Sequence, residues 1–252
     1  MKLEEILKRI KPVDNTWIQK ARERTSQLVM PTRALGRLHE VSERLCGIQK
    51  TLEPSVKHKA VLVMAGDHGI ASEGVSAYPQ EVTGAMVQTF LKGGAGINAI
   101  SRHVGADVWV VDMGIIPQLD PASLEGGDRL FVQKISRGTS SFVNGPAMSR
   151  NDGEKSILTG FRLAADLFHK GFEILGTGDM GIGNTTPSAA IGSVVTGTGP
   201  EKMVGRGTGV DDEGLRIKQA AVEKGIQINQ PDSDDGLDVL AKVGGFEIGG
   251  IA

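Results

Sequence analysis

Residues 172–187 read Phe-Glu-Ile-Leu-Gly-Thr-Gly-Asp-Met-Gly-Ile-Gly-Asn-Thr-Thr-Pro, an apolar run followed by a glycine-rich segment and a proline. The apolar run Phe172–Leu175 is typical of a buried parallel strand. Thr186 is expected to cap the next helix, with Pro187 at its first position. Glycines at such a junction let backbone N–H groups approach an anion, and the helix dipole favours negative charge. The segment 176–186 therefore predicts a phosphate-binding loop.

Two further runs, Ala60–Ala65 and Val108–Val111, also resemble buried strands, and each is followed closely by an acid, Asp67 or Asp112. Short β-branched runs that alternate with longer amphipathic ones are typical of βαβ units. We predict an α/β fold, a parallel-sheet Rossmann-like three-layer domain in which the loops after these strands converge on one site. Helices are expected at Val82–Val104, Gly153–Lys170, Pro187–Val195, Glu213–Ile228 and Gly236–Val243.

The chain is expected to have two parts, a helical N-terminal segment over residues 1–55 and an α/β nucleotide-binding domain over residues 56–252. The spacing of apolar residues in the first part predicts one apolar helical face, interrupted near Pro31. The residues of this face are Leu28, Leu35, Leu38, Val41 and Leu45.

The composition favours small-molecule partners. The chain has 28 basic and 30 acidic residues, a formal net charge of -2, and no block of Lys or Arg. This balance argues against binding of nucleic acid or of an anionic membrane surface. A single cysteine, Cys46, excludes an intramolecular disulfide, and no apolar run has the length of a membrane span or signal peptide. We expect a cytoplasmic protein.

A second glycine-rich segment, Gly205–Gly209, leads towards Lys218 and could hold the same phosphate from another side. Other interpretations remain open. Gly176, Gly178 and Gly181 also satisfy the dinucleotide-binding pattern Gly-x-Gly-x-x-Gly, although the acid that should follow a second strand is missing. Glycine-rich turns are often only tight connections, and no P-loop motif occurs.

Single polar residues also have alternative interpretations. Asp179 could be a turn residue rather than a ligand contact. His68 could be a hydrogen-bonded loop residue. The histidines show no metal-ligand spacing, so we expect no metal site.

Several motifs, in this order along the chain, resemble the nicotinate mononucleotide:dimethylbenzimidazole phosphoribosyltransferases. The resemblance runs through nearly the whole chain. The motifs lie at 65–69 (Ala-Gly-Asp-His-Gly), 76–83 (Ser-Ala-Tyr-Pro-Gln-Glu-Val-Thr), 178–187, 205–218, 228–231 (Ile-Asn-Gln-Pro), 235–236 and 242–248 (Lys-Val-Gly-Gly-Phe-Glu-Ile).

The resemblance implies a reaction in which a benzimidazole nitrogen displaces nicotinate from nicotinate mononucleotide and gives α-ribazole phosphate for the cobalamin lower ligand. It implies no metal or organic cofactor, and a homodimer. Asp179 matches a carboxylate position, more often Glu, that faces the ribose. The resemblance also places the phosphate and ribose at Gly181, Gly183, Asn184, Thr185, Gly207 and Lys218, and the acceptor base near Tyr78, Met86, Asp67 and His68.

This sequence departs from the family at two places. Residues 30–38 (Met-Pro-Thr-Arg-Ala-Leu-Gly-Arg-Leu) replace the familiar Pro-Pro-Gly-Ser-Leu-Gly-Arg-Leu. Family members also continue past the segment at 244–246 to a Gly-Glu-Gly motif whose Glu is the general base, and no residue here matches that Glu. We therefore expect either a transferase that is weakly active or depends on the C-terminal portion found in the family, or a catalytically inactive nucleotide-binding or interaction protein of the same fold. An unrelated NAD-type oxidoreductase is the third hypothesis.

Overall fold

The computed structural model describes residues 2–252, which form two compact units that divide between Lys57 and His58. The first unit is helical. Its second helix begins at Asn15, where the side chain of Asp14 accepts a hydrogen bond from the Thr16 N–H at 3.0 Å. The helices of this unit are α1 (Leu3–Leu7), α2 (Asn15–Ser26) and α3 (Arg37–Gln49).

The predicted apolar face of this unit is wrong. Leu28 and Leu35 lie outside the helices, and Leu38 and Val41 point to solvent on α3. The buried positions of α3 are instead His39, Glu43, Cys46 and Gly47, three or four residues apart on another face. Buried Glu43 is paired with Arg22 at 3.0 Å and with Arg33 at 3.3 Å, so a charged cluster occupies the place where the pattern predicts apolar packing.

The described residues of the second unit form a four-stranded, all-parallel sheet, in which the first strand along the chain lies between the second and the fourth, and the third lies beyond the second. Three short 3₁₀ turns lie at Gly69–Glu73, Pro121–Ser123 and Gly127–Arg129. The strands are β1 (Lys59–Gly66), β2 (Ala106–Gly114), β3 (Leu130–Val132) and β4 (Ile174–Met180). The helices are α4 (Val82–Leu91), α5 (Gly96–Val104), α6 (Arg150–His169), α7 (Thr185–Thr196), α8 (Pro200–Met203), α9 (Asp212–Asn229), α10 (Gly236–Val243) and α11 (Phe246–Ile251).

Helices cover both faces of this sheet, so the predicted three-layer α/β fold is confirmed. On one face Leu62 and Met64 of β1 pack with Leu163 of α6 and Phe246 of α11. On the other face Ala65 packs with Val87 of α4 and with its neighbours from β2 and β3. Alternating side chains of the central strands are therefore buried on both sides, as the continuous apolar runs predict.

Several observed elements differ from the predicted ones, and α8 and α11 were not predicted. The predicted helix 82–104 is two helices, α4 and α5, because Gly93 adopts a positive φ of 77° between them. The three-residue strand β3 has too short an apolar run to be predicted. The strand predicted at 172–175 begins two residues later and continues to Met180. Among residues 2–252, no helix combines the length and apolar character needed to cross a membrane.

Candidate active site at the carboxyl ends of the strands

The segments that follow β1, β2 and β4 meet at one edge of the sheet, as parallel strands require. The Asp67 N–H donates to Gly114 O at 3.0 Å, and the Ile116 N–H donates to Asp67 Oδ2 at 2.7 Å. Gly181 lies directly against the Gly66 carbonyl, because a Cβ added at Gly181 would stand 2.1 Å from that oxygen. The three predicted loops therefore converge within the second unit.

The glycine-rich segment after β4 is shorter than predicted. Gly176 and Gly178 are strand residues, opposite Val61 and Val63 of β1 in a parallel register. The turn itself covers only Gly181–Asn184, which we call the first glycine turn, and its Asn184 N–H donates to Gly181 O at 3.0 Å. The Gly-x-Gly-x-x-Gly match is thus split between a strand and a turn, unlike a dinucleotide-binding loop, in which all three glycines belong to the strand-to-helix junction.

The first glycine turn is fixed by a buried threonine. Thr83 of α4 is fully buried, and its hydroxyl accepts a hydrogen bond from the Ile182 N–H at 3.0 Å. The turn leads into α7, which begins at Thr185, with Asn184 as its N-cap residue. The prediction that Thr186 caps the helix and Pro187 opens it is wrong by two residues, because the turn after Gly183 already has helical geometry.

The candidate phosphate site combines the start of α7 with α9. Lys218 is only 1% exposed, and its Nζ donates to Thr185 Oγ1 at 2.6 Å. Gly207 stands over both groups, since a Cβ added there would lie 2.7 Å from Lys218 Nζ and from Thr185 Oγ1. Burial lowers the pKa of Lys218, so an anion bound beside the ammonium group would favour its charged form.

Asp179 lies near the end of β4 with its side chain exposed. Its carboxylate accepts a hydrogen bond from the side-chain amide of Asn184. This contact links the candidate catalytic carboxylate to the first glycine turn and to the start of α7. Because Asn184 uses its side chain here, it makes no side-chain cap on α7.

Gly205–Gly209, which we call the second glycine turn, is tied to the segment that carries Tyr78. The Ala77 N–H donates to Thr208 Oγ1 at 3.2 Å, and the Ser76 hydroxyl lies 3.1 Å from the same oxygen. Tyr78 itself is 55% exposed, and Met86 on α4 is half-buried. The aromatic side chain of Tyr78 therefore remains available to a flat ligand beside the second glycine turn, and the thioether side chain of Met86 is partly open on α4.

Asp67 and His68, the two other residues expected near the acceptor base, are each 1% exposed and contact protein groups. Burial raises the pKa of Asp67, although hydrogen bonds from the Ile116 N–H and the Thr83 hydroxyl oppose that rise. His68 Nε2 lies 2.9 Å from Glu247 Oε1. Among residues 2–252, no group of three or more His, Cys, Asp or Glu side chains is arranged to hold a metal ion.

Thr83 and Glu247 were not predicted as site residues. Both lie in segments that carry the family resemblance, but their spacing alone gives no chemical signal. The hint for Glu247 is its position after Gly244 and Gly245, since paired glycines often mark a close backbone approach. A partner 179 residues earlier in the chain, His68, cannot be identified from such a local pattern.

Known proteins are similar to this chain over nearly its whole length. The DBI_PRT phosphoribosyltransferase family profile matches residues 10–252. The chain belongs to this phosphoribosyltransferase family. A family member from Roseiflexus sp. (strain RS-1), named nicotinate-nucleotide--dimethylbenzimidazole phosphoribosyltransferase, is 48% identical over 99% of this chain and 69% of its own length. A member of the same name from Geobacter sulfurreducens is 47% identical over 99% of this chain and 70% of its own length.

Solved structures of the family share the fold. CobT from Thermus thermophilus is 43% identical, with a TM-score of 0.86 over 94% of this chain and 69% of that one. A second structure of the phosphoribosyltransferase from the same organism gives a TM-score of 0.85 at 40% identity, with the same coverage. The suspected family is therefore confirmed, together with the fold that it implies.

Proposed function

We propose that this chain transfers the phosphoribosyl group of nicotinate mononucleotide to dimethylbenzimidazole or a similar base. The products are α-ribazole phosphate, used for the lower ligand of cobalamin, and nicotinate. The observation that carries the proposal is the buried Lys218 ammonium group, which contacts Thr185 at the start of α7 and lies below Gly207. The residue before Thr185, Asn184, donates a hydrogen bond to the Asp179 carboxylate. Family membership supports the same reaction class.

Phosphate binding is assigned to Lys218 and to the two glycine turns. A buried ammonium group with one hydrogen-bond acceptor, Thr185 Oγ1, retains two N–H donors for an anion. The second glycine turn is open above it, because Gly207 carries no side chain that would fill the space. A phosphate there would restore the charge that burial disfavours in Lys218.

Asp179 is assigned to the ribose. Loss of nicotinate leaves positive charge on the anomeric carbon and the ring oxygen, and a carboxylate held near them stabilises that charge. The hydrogen bond from the Asn184 amide holds the carboxylate in one orientation. Attack by the lone pair of one benzimidazole nitrogen from the opposite side forms the new C–N bond and inverts the anomeric carbon. The bond to nicotinate breaks, and its electron pair stays on the pyridine nitrogen of the leaving group. The other ring nitrogen of the benzimidazole releases its proton to solvent, which leaves a neutral base in the product.

The acceptor base is assigned to the side of the site that carries Tyr78 and Met86. These side chains offer apolar surface to a flat ring, while the hydrogen bonds with Thr208 hold the Tyr78 segment beside the second glycine turn. The same turn would therefore position the phosphate of one substrate and the ring of the other. Such positioning supplies much of the rate enhancement when two substrates react.

The test is to incubate the chain with nicotinate mononucleotide and dimethylbenzimidazole, with nicotinate and α-ribazole phosphate separated by chromatography. We expect both products, and a loss of about 10²–10³-fold in kcat for Asp179→Asn. Calorimetry with nicotinate mononucleotide alone measures binding separately. Asp234→Asn, which neutralises another exposed carboxylate of the second unit, is the matched control and should keep the wild-type rate.

The outcomes separate the hypotheses. Formation of both products, with loss of activity only in Asp179→Asn, supports the transferase. Binding of nicotinate mononucleotide without products would instead support a catalytically inactive nucleotide-binding protein of this fold. Absence of both binding and products would contradict the proposed function.

We further propose that the chain forms a homodimer. The helical unit exposes several apolar side chains that would lose contact with water in such an assembly, among them Leu28, Leu35, Leu38 and Val41. Light scattering coupled to gel filtration measures the molar mass. A mass of one chain at micromolar concentration would contradict the proposal.

A further inference from the structure

A buried ion pair lies beneath the candidate site. His68 follows β1 and is 1% exposed, whereas Glu247 belongs to the first turn of α11 and is fully buried. His68 Nε2 and Glu247 Oε1 are 2.9 Å apart. Two charges removed from water cost free energy that their attraction only partly offsets, so such a pair is weak evidence for stability alone. A role in specifying geometry is the alternative.

Three glycines surround this pair, one from each segment that meets there. A Cβ at Gly66 would lie 2.8 Å from Glu247 Oε2, and one at Gly181 would lie 3.0 Å from His68 Nε2. A Cβ at Gly245 would lie 2.5 Å from both His68 Cε1 and Glu247 Oε1. The backbones after β1, after β4 and before α11 are therefore packed directly on the ion pair, with no side chain between them.

The contacts of the pair extend to both sides of the site. The His68 carbonyl accepts a hydrogen bond from Gln80 Nε2 at 3.1 Å, which connects it to the segment before α4. Gly181, which rests on the imidazole, starts the turn that carries Asn184 and leads to Thr185. Among the described residues, neither ring nitrogen of His68 and neither carboxylate oxygen of Glu247 has an aligned hydrogen-bond partner, so the two side chains interact as charges 2.9 Å apart.

Carboxylates surround the imidazole. Burial alone would lower the pKa of His68, but the negative charges of Glu247, Asp67 and Asp179 together raise it above its ordinary value. The imidazole therefore keeps its proton to a higher pH than a free histidine. While the imidazole carries its proton, Glu247 is its nearest counter-charge, and replacing the carboxylate by an amide would remove that charge.

We propose that the His68–Glu247 ion pair is a positioning element that sets the height of the first glycine turn above the sheet. It thereby places Asn184 and Thr185 for the nucleotide. His68 and Glu247 act through Gly181 and need not touch the substrate. Thr83 holds the other side of the same turn at Ile182, so the turn is fixed between a hydrogen bond and an ion pair. The consequence for binding rests on the proposed function, whereas the consequence for the turn does not.

The first test replaces Glu247 by Gln, which keeps the size of the side chain and removes its charge. Backbone amide hydrogen exchange of Ile182 and Asn184 reports the turn without any ligand. We expect exchange at these two amides to be about tenfold faster or more, while the amides of the central strand β1 stay protected. The matched control is Asp238→Asn, which removes the carboxylate of the 2.8 Å ion pair with Lys242 on α10 and should leave both amides unchanged.

A second readout uses nicotinate mononucleotide. Calorimetry should show about tenfold weaker binding to Glu247→Gln than to wild type, with unchanged affinity in Asp238→Asn. Wild type that does not bind the nucleotide contradicts the proposed function, and the exchange rates then decide the positioning role on their own. Wild-type exchange and wild-type affinity in Glu247→Gln would overturn the positioning role, even if the transferase reaction is found.

A third measurement needs no variant, so it remains decisive if Glu247→Gln does not fold. Histidine ring resonances of the wild-type protein follow the protonation of His68, and amide exchange, corrected for hydroxide concentration, is recorded over the same pH range. Exchange at Ile182 should accelerate as His68 loses its proton, because Glu247, Asp67 and Asp179 are then left facing a neutral ring. Constant corrected exchange across that titration would overturn the proposal.

Discussion

The two glycine turns look alike in sequence, yet glycine serves a different purpose in each. The first turn, Gly181–Asn184, is buried, and its Gly181 is pressed between the Gly66 carbonyl and the His68 imidazole. The second turn, Gly205–Gly209, is exposed, and Gly205 and Gly209 have no atom within 4 Å of an added Cβ. The first turn needs glycine for a close approach of backbones. The second turn needs it for the positive φ of Gly207 and Gly209 and, at Gly207 only, for the space beside Lys218 Nζ and Thr185 Oγ1. Glycine content alone therefore does not show which turn is rigid.

The largest expected effect separates the two turns by the same substitution. Gly181→Ala places a Cβ 2.1 Å from a backbone oxygen, so the turn or the strand must move, and we expect a loss of about 3 kcal/mol or more in the free energy of unfolding. Gly205→Ala meets no atom within 4 Å and should change it by about 0.5 kcal/mol or less. Urea unfolding of both variants measures the difference. Equal losses of unfolding free energy in the two variants would show that the two turns do not differ in their need for glycine.

The next effect concerns binding rather than stability. Lys218→Met removes the buried ammonium group but keeps most of the apolar stem, so we expect affinity for nicotinate mononucleotide to fall about 100-fold, or about 3 kcal/mol. The free energy of unfolding should not fall, because burial disfavours the charge of Lys218. Lys224→Met, at an exposed position on the same helix, is the control. Calorimetry and urea unfolding together test whether the second turn serves a ligand.

A smaller effect is expected at the one glycine of the second turn that touches the site. Gly207 has a positive φ of 53°, and a Cβ there would approach Lys218 Nζ to 2.7 Å. Gly207→Ala should cost about 1 kcal/mol of stability, and it should weaken nucleotide binding more than Gly205→Ala does. Unchanged binding would show that the turn does not cover the ligand.

The smallest expected effect is a pH dependence of stability that arises from His68, which contacts the first glycine turn and not the second. The pKa of His68 is raised in the folded state, so its stabilising contribution is complete below the unfolded pKa, about 6.5, and is lost as pH rises through the folded value. The stability difference between wild type and His68→Asn should therefore shrink on going from acidic to alkaline pH. Exposed His169 provides the control substitution, His169→Asn, which should show no such trend. A difference that grows with pH would contradict the ionised pair.

Much of this fold could be predicted from the sequence because its signals are local. The central strands β1 and β2 are buried on both faces and read as apolar runs, and α10 matches its predicted range residue for residue. The sequence predicts an end of β4 at Leu175, five residues too early, because Gly176, Gly178 and Asp179 have low strand propensity. Pairing with β1 across more than 100 residues overrides that propensity, and no local pattern records it.

Part of the candidate site could be proposed from the sequence in the same way. Glycines, Asp179 and Lys218 carry chemical meaning in themselves, and the structure brings them together at the sheet edge. Thr83 and Glu247 act by burial next to distant residues, so their importance depends on the folded arrangement. The exposed side chains of Leu38 and Val41 on α3 show a limit of prediction from apolar spacing. Apolar spacing predicts a helix face, but it does not state which face of the helix the protein buries.

The strand order also has a consequence for how the chain folds. β1 lies at the centre of the sheet, but its two neighbours begin 47 and 115 residues later, at Ala106 and Ile174. Pairing of such distant segments is slow, because long loops must close before their contacts form. During synthesis the apolar run 60–65 leaves the ribosome well before β4 exists. We therefore expect a stage of folding in which the central strand has an open edge, where it can pair with another chain before β4 is available.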